Sequence, residues 1–122
     1  MSRKFTLLVI EDDEASFKLI VAALKIFDLD ILHAGNGRDG VTLFSENEID
    51  LVLLDIQLPE MNGFEALSFL KKINSEIPIV AQTAYSMSGE KDKSIAMGCS
   101  DFLLKPIRIM EIRNLVSKYM TQ

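Results

Sequence analysis

A chain of 122 residues with 48% hydrophobic and 25% charged residues, six glycines and three prolines is long enough for one domain with a proper core and short for two. Its 18 acidic against 13 basic side chains give a net charge of -5. No cluster of Lys and Arg offers the phosphate neutralisation that a nucleic-acid surface needs, so direct nucleic-acid contact is excluded in favour of a cation or a basic partner. A single cysteine, Cys99, excludes an internal disulfide. No apolar run reaches the roughly 18 to 20 residues that span a bilayer, and no signal-peptide pattern opens the chain, which reads as cytoplasmic without direct membrane contact.

The run from Phe5 to Ile10 predicts a buried strand, and it stops at the acidic cluster Glu11, Asp12, Asp13, Glu14. Phe17, Ile20, Leu24 and Phe27 recur at steps of three and four, predicting a helix of about 13 residues with one apolar stripe. Ile31 and Leu32, beside Asp30 and His33, predict a more polar strand near a sheet edge. Asn36 is placed to cap a short second helix that turns Val41 and Phe44 inward. Leu51-Val52-Leu53-Leu54 has the pattern of a central parallel strand, apolar on both faces, yet it ends in Asp55.

A loop through Pro59 and Asn62-Gly63 leads to a third helix with Phe64, Leu67 and Leu70 inward, closed by Asn74, Ser75 and Pro78. Ile79-Val80-Ala81-Gln82-Thr83 predicts a fourth strand that ends in a hydroxyl. Residues 86 to 98 predict the most thinly anchored helix, with Met87, Ile95 and Met97 as its large apolar residues, and hence a candidate for movement. Asp101 to Lys105 predicts a fifth strand ending in a cation. After Pro106, the residues Ile109, Ile112, Val116 and Tyr119 predict an amphipathic last helix over about residues 107 to 120.

Five alternations of strand and helix predict an α/β fold, a doubly wound parallel sheet with helices on both faces. In such sheets function sits at the carboxyl ends of the strands, beside the point where strand order reverses. Four of the five ends carry a polar group there: Glu11 and Asp12, Asp55, Thr83, and Lys105. Three carboxylates at adjoining ends repel one another unless a cation neutralises them, and few hard oxygen donors with room for water suit magnesium or manganese. Lys105 adds a fixed positive charge and Thr83 a hydroxyl donor, which completes the parts for in-line phosphoryl transfer. Asp55, alone at the end of the most buried strand, is the candidate nucleophile, with Glu11 and Asp12 as the metal-holding pair.

Ile10-Glu11-Asp12, Leu54-Asp55 with Leu58-Pro59-x-Met61-x-Gly63, Thr83-Ala84 and Leu104-Lys105-Pro106 together resemble the receiver domain of two-component response regulators, over essentially the whole chain as a single domain, residues 1 to 122. The resemblance implies a flavodoxin-like five-stranded sheet in the order 2-1-3-4-5. It implies that Asp55 accepts phosphate from a histidine kinase or a histidine phosphotransfer domain, and that Asp12, Asp55 and the backbone carbonyl of Gln57 hold magnesium, with Glu11 helping through water. Thr83 and Lys105 would contact the phosphoryl group, Phe102 would be the switch aromatic, and Lys105-Pro106 would be a cis bond. Gln57 and Tyr85 fall where residues tune phosphate lifetime. Phosphorylation would shift the fourth helix and fifth strand, a face that with the fifth helix could carry a dimer or effector contact. The wording from Asp55 to Gly63 and from Thr83 to Met87 is most similar to receivers of hybrid sensor histidine kinases and to single-domain receivers. Two positions depart from the common pattern: Glu11 replaces the usual first Asp, and Phe102 replaces the usual Tyr.

Rival readings rest on single features. Gly35-Asn36-Gly37-Arg38-Asp39-Gly40 fits the G-x-G-x-x-G dinucleotide fingerprint, against a plain turn and cap. An aspartate-nucleophile phosphatase uses the same carboxylate, hydroxyl and lysine, yet needs a general acid two residues after the nucleophile, where Gln57 stands. Asp13 and Glu14 read as complements to the first helix dipole, His33 as a surface strand residue rather than a phosphate carrier, and Cys99 as a packing residue.

Overall fold

The computed structural model describes residues 3–84 and 89–121. Its strands are β1 (Phe5–Ile10), β2 (Leu29–Ala34), β3 (Leu51–Asp55), β4 (Ile79–Ala84) and β5 (Asp101–Lys105). The helices between and after them are α1 (Glu14–Leu24), α2 (Gly37–Glu46), α3 (Gly63–Ile73), α4 (Glu90–Ala96) and α5 (Ile109–Met120). The five strands form one parallel sheet in the order β2-β1-β3-β4-β5, the flavodoxin-like topology. Every residue of β3 is buried, as a central strand covered on both faces must be, whereas β2 at the edge is only partly covered.

Strand alternation divides the core in two. On one face Leu8, Ile10, Val52, Leu54, Ile79 and Ala81 pack with Phe44 of α2 and Ala66, Leu67 and Leu70 of α3. On the other, Leu7, Val9, Leu51, Leu53, Val80 and Leu103 pack with Ile20, Ala23 and Leu24 of α1 and Ile112, Leu115 and Val116 of α5. Cys99 is buried at the edge of the first cluster with its thiol reduced.

The helix starts are fixed by caps. Asp13 Oδ2 accepts from Ser16 N–H at 2.8 Å, Asn36 Oδ1 from Asp39 N–H at 2.8 Å, and Asn62 Oδ1 from Glu65 N–H at 3.0 Å. Asn36 therefore does what the turn-and-cap reading requires. A Cβ at Gly40 would lie 2.5 Å from Ile10 Cδ1, so the last glycine of the fingerprint lets α2 close on β1.

Three apolar stripes differ from expectation. α1 ends at Leu24, 11 residues long, and Phe27 packs on the core from the turn beyond it. In α4 the expected anchor Ile95 is 43% exposed and Ser94 is the buried residue of the seven from Glu90 to Ala96. Ser86 and Met87 lie outside the described residues. In α5, Ile109 is 43% exposed at the first residue of the helix, and Leu115 joins Ile112, Val116 and Tyr119 on the buried face.

The β3–α3 connection is held tightly. Gly63 N–H donates to Ile56 O at 2.9 Å, and a Cβ on Gly63 would lie 2.3 Å from Ile56 Cα and 2.6 Å from Asp55 O. Backbone cannot yield as a flexible side chain can. Gly63→Ala should destabilise the protein by about 1 to 3 kcal/mol in urea denaturation, the range for overpacking. Gly35→Ala, at a position with nothing within 4 Å of the added atom, should be nearly neutral by comparison.

Candidate functional site

The reversal of strand order falls between β1 and β3, where the chain goes first to β2 and then to the other side of β1. Ile10 pairs in register with Leu54, so Glu11 and Asp55, the next residue on each strand, stand side by side. Glu11 is 0% exposed and Asp55 is 1% exposed, and Asp12 beside them is exposed to solvent. Ligand oxygens of Glu11, Asp12 and Asp55 all lie within 4.8 Å of one another. Burial, followed by the neighbouring Asp55, pushes the Glu11 carboxyl up to about 7.

Both oxygens of Asp55 are held. Oδ1 accepts from Gln57 N–H at 2.8 Å and Oδ2 from Lys105 Nζ at 2.8 Å. Lys105 starts on β5, crosses β4 to reach β3, and lies 3.5 Å from Glu11 Oε1 as well. Burial lowers the affinity of this ammonium for its proton, and the hydrogen bond and charge of Asp55 outweigh that, leaving the lysine firmer in its charge than a free one. Glu11 Oε2 accepts from Asp13 N–H at 3.2 Å, whereas Oε1 has no hydrogen-bond partner among the described residues. The Glu11 backbone is fixed too: its N–H donates to Ala34 O at 3.0 Å, and His33 Nε2–H donates to its carbonyl at 2.9 Å. The His33 ring stacks on Phe17 at 3.7 Å between centroids, so His33 braces the end of β1 from the edge strand.

Of the other residues, Thr83 is 1% exposed near the end of β4, one residue beyond the position in register with Asp55. Phe102 on β5 is partly buried against the first core cluster, with Lys91 Nζ of α4 4.1 Å from its ring centroid. The Lys105-Pro106 bond is cis. Gln57 turns an exposed side chain to solvent and uses its backbone at the site, and Tyr85 lies outside the described residues. The sequence reading passed over Gln82, a buried amide between the apolar run Ile79–Ala81 and Thr83, and the stacking of Phe17 on His33. The first was visible as the lone amide of the β4 run; the second needed coordinates.

The geometry therefore places two acids, a lysine and a hydroxyl at the carboxyl ends of β1, β3, β4 and β5, with a third acid exposed at the rim. The sequence profile named "Response regulator receiver domain" matches residues 7–117. The chain belongs to the response regulator receiver domain family.

This receiver is 33% identical over 116 residues to signal transduction histidine-protein kinase BarA of Escherichia coli (strain K12), covering 93% of the chain and 13% of BarA. It is 30% identical over 117 residues to the polar-differentiation response regulator DivK of Brucella anthropi, covering 94% of the chain and 95% of DivK. Among solved structures, the receiver domain of Francisella response regulator 1452 superposes with a TM-score of 0.84 at 26% identity, over 95% of this chain and 97% of that one. The chain thus spans a small fraction of one relative and nearly all of the other. Transfer of a phosphoryl group to an aspartate is the function of the family, and its members interact with histidine kinases or phosphotransfer proteins. Receivers in general bind magnesium. No helix among the described residues is long and apolar enough to cross a membrane.

Lys105 is the only cation given to the buried acids by the described residues. Removing one partner of a buried pair leaves the other charge uncompensated. Lys105→Met should destabilise the metal-free receiver by about 3 kcal/mol in urea denaturation, and adding Asp55→Asn in the same chain should recover most of that loss.

Proposed function

We propose that Asp55 is the phosphoacceptor of this receiver, that Lys105 and Thr83 hold the phosphoryl group, and that Glu11, Asp12, Asp55 and the backbone carbonyl of Gln57 hold a magnesium ion beside it. The observation that carries the reading is Asp55 itself, a buried carboxylate fixed at both oxygens and next to a second buried acid. The donor set fits a small hard dication: all the candidate ligands are oxygens, two of the three carboxylates are buried and one faces solvent, and Glu11 Oε1 is left without a hydrogen bond. Manganese, with the same preference for oxygen, would serve in its place. Bound there, the cation supplies positive charge against the phosphoryl oxygens.

The donor is a phosphohistidine on a histidine kinase or a histidine phosphotransfer domain. An Asp55 oxygen attacks phosphorus in line, the O–P bond forms as the N–P bond breaks, and the imidazole leaves with the electron pair. The Gln57 N–H holds the carboxylate in the attacking orientation, worth a large part of the barrier when the geometry is right. Lys105 follows the charge as it moves to the phosphoryl oxygens, and the Thr83 hydroxyl donates to one of them. The product brings about 1.5 to 2 negative charges into the cleft.

Those charges bias a part of the fold that is lightly held. α4 is seven residues long, has no side-chain cap, and buries Ser94 rather than a large apolar residue. Displacement of Thr83 toward the phosphoryl group leaves room into which Phe102 turns, and α4 and β5 follow. Without the Tyr hydroxyl, Phe102 signals by packing alone. The face made by α4, β5 and α5 then serves as the contact with an effector or a second copy. The setting that fits a histidine kinase or phosphotransfer partner is the cytoplasm.

Incubation with acetyl phosphate and magnesium, read by intact mass, should give a single phosphate adduct on the wild type. The adduct should be absent from Asp55→Asn and from samples with EDTA. An adduct that survives Asp55→Asn would overturn the assignment.

A further inference from the structure

Gln82 is 0% exposed, and neither its side-chain oxygen nor its nitrogen has a hydrogen-bond partner among the described residues. A buried, unpaired polar group is disfavoured, whereas an apolar residue of the same shape is neutral or better. The rest of β4 shows that apolar residues fit: Ile79, Val80 and Ala81 are fully buried in the two clusters. The position of the amide therefore calls for a state of the protein in which it is paired.

Register says which groups are at hand. Gln82 pairs with Asp55 on one side and Leu103 on the other. Val80, two residues earlier, and Leu103 both belong to the cluster under α1 and α5, so alternation puts the Gln82 side chain on that same face. Lys105, two residues past Leu103, has to cross β4 to bring its Nζ within 2.8 Å of Asp55 Oδ2. Gln82 thus occupies the strand between the acid and the lysine. An ammonium has three donors, and the contacts that engage Lys105 are Asp55 and Glu11. An amide offers one acceptor and two donors, the complement of a cation beside a carboxyl group.

We propose that Gln82 is a positioning residue for the phosphoryl-loaded state. Once Lys105 turns from Asp55 toward the phosphoryl oxygens, the Gln82 amide bridges the two: its carbonyl accepts from the ammonium and its NH2 donates to the Asp55 oxygen that Lys105 leaves. The amide then fixes the lysine in its phosphoryl-facing place, and the unpaired atoms of the free protein are satisfied. The proposal rests on Asp55 being the phosphoacceptor.

Beryllofluoride with magnesium, which mimics an aspartyl phosphate, is the probe. In 15N-labelled wild type with through-bond assignments, the Gln82 side-chain NH2 signals should move downfield on saturation, a change that a merely structural glutamine would not show. In Gln82→Met, close to the same volume, the free protein should melt at the same or a higher temperature while beryllofluoride affinity falls about tenfold, as for loss of a hydrogen bond to a charged group. Wild type that binds the probe with unmoved Gln82 signals, or a Met variant that binds within about twofold of wild type, overturns the role of Gln82 and leaves Asp55 standing. Wild type that fails to bind the probe overturns the Asp55 assignment, and this proposal with it. The wild-type spectra decide the matter if the variant does not fold.

Discussion

Two buried carboxylates, Glu11 and Asp55, stand side by side at the ends of adjacent central strands, and one lysine from a strand two places away holds them there. Everything around the cleft serves that arrangement. The strand-order reversal puts the acids together, the sheet order puts Lys105 across β4 from Asp55, and the close approach of Gly63 fixes the loop whose Gln57 N–H orients the carboxylate. One positive charge faces two buried acids, and burial, followed by the neighbouring Asp55, pushes the Glu11 carboxyl up to about 7. A site built this way is incomplete by itself and is stabilised by whatever brings positive charge to it.

The same imbalance links the site to movement. In the proposed transfer Lys105 is the pivot: in the free protein it is committed to Asp55, and a phosphoryl group on that carboxylate would offer it a stronger partner. Its neighbours are placed to register the change. Thr83 sits one residue beyond Gln82 on β4, Phe102 lies on β5 next to the thinly packed α4, and Lys91 and Lys93 of α4 rest on the rings of Phe102 and Phe64 at 4.1 and 4.2 Å. These cation–π contacts are worth about 0.5 to 1 kcal/mol each at exposed sites, enough to hold a short helix in one place and small enough to be exchanged.

Much of this was legible in the sequence, because strand ends are marked by an abrupt change from apolar to polar residues. Leu54-Asp55, Ile10-Glu11 and Leu104-Lys105 each announce such an end, and α/β topology then dictates that the ends converge. Helix boundaries were less legible: Phe27 and Ile109 keep the helical period, but Phe27 falls beyond the end of α1 and Ile109 is the exposed first residue of α5. Ile95 misled for a related reason, since in a helix of two turns a single apolar residue does not define the buried face, and Ser94 took it. Contacts that join distant residues through backbone atoms, such as His33 on the Glu11 carbonyl, leave no trace in composition or spacing. Gln82 did leave one, an amide in a strand that is otherwise built for a core.

The central claim is that the acidic cleft is held short of positive charge and takes a divalent cation between Asp12 and Asp55. A magnesium titration of 15N-labelled protein tests it most directly. Saturable shifts confined to the backbone amides around Asp12 and from Asp55 to Gln57, weakened about tenfold or more in Asp12→Ala, are the predicted result. Shifts that fail to saturate, or that are unchanged by Asp12→Ala, would contradict it.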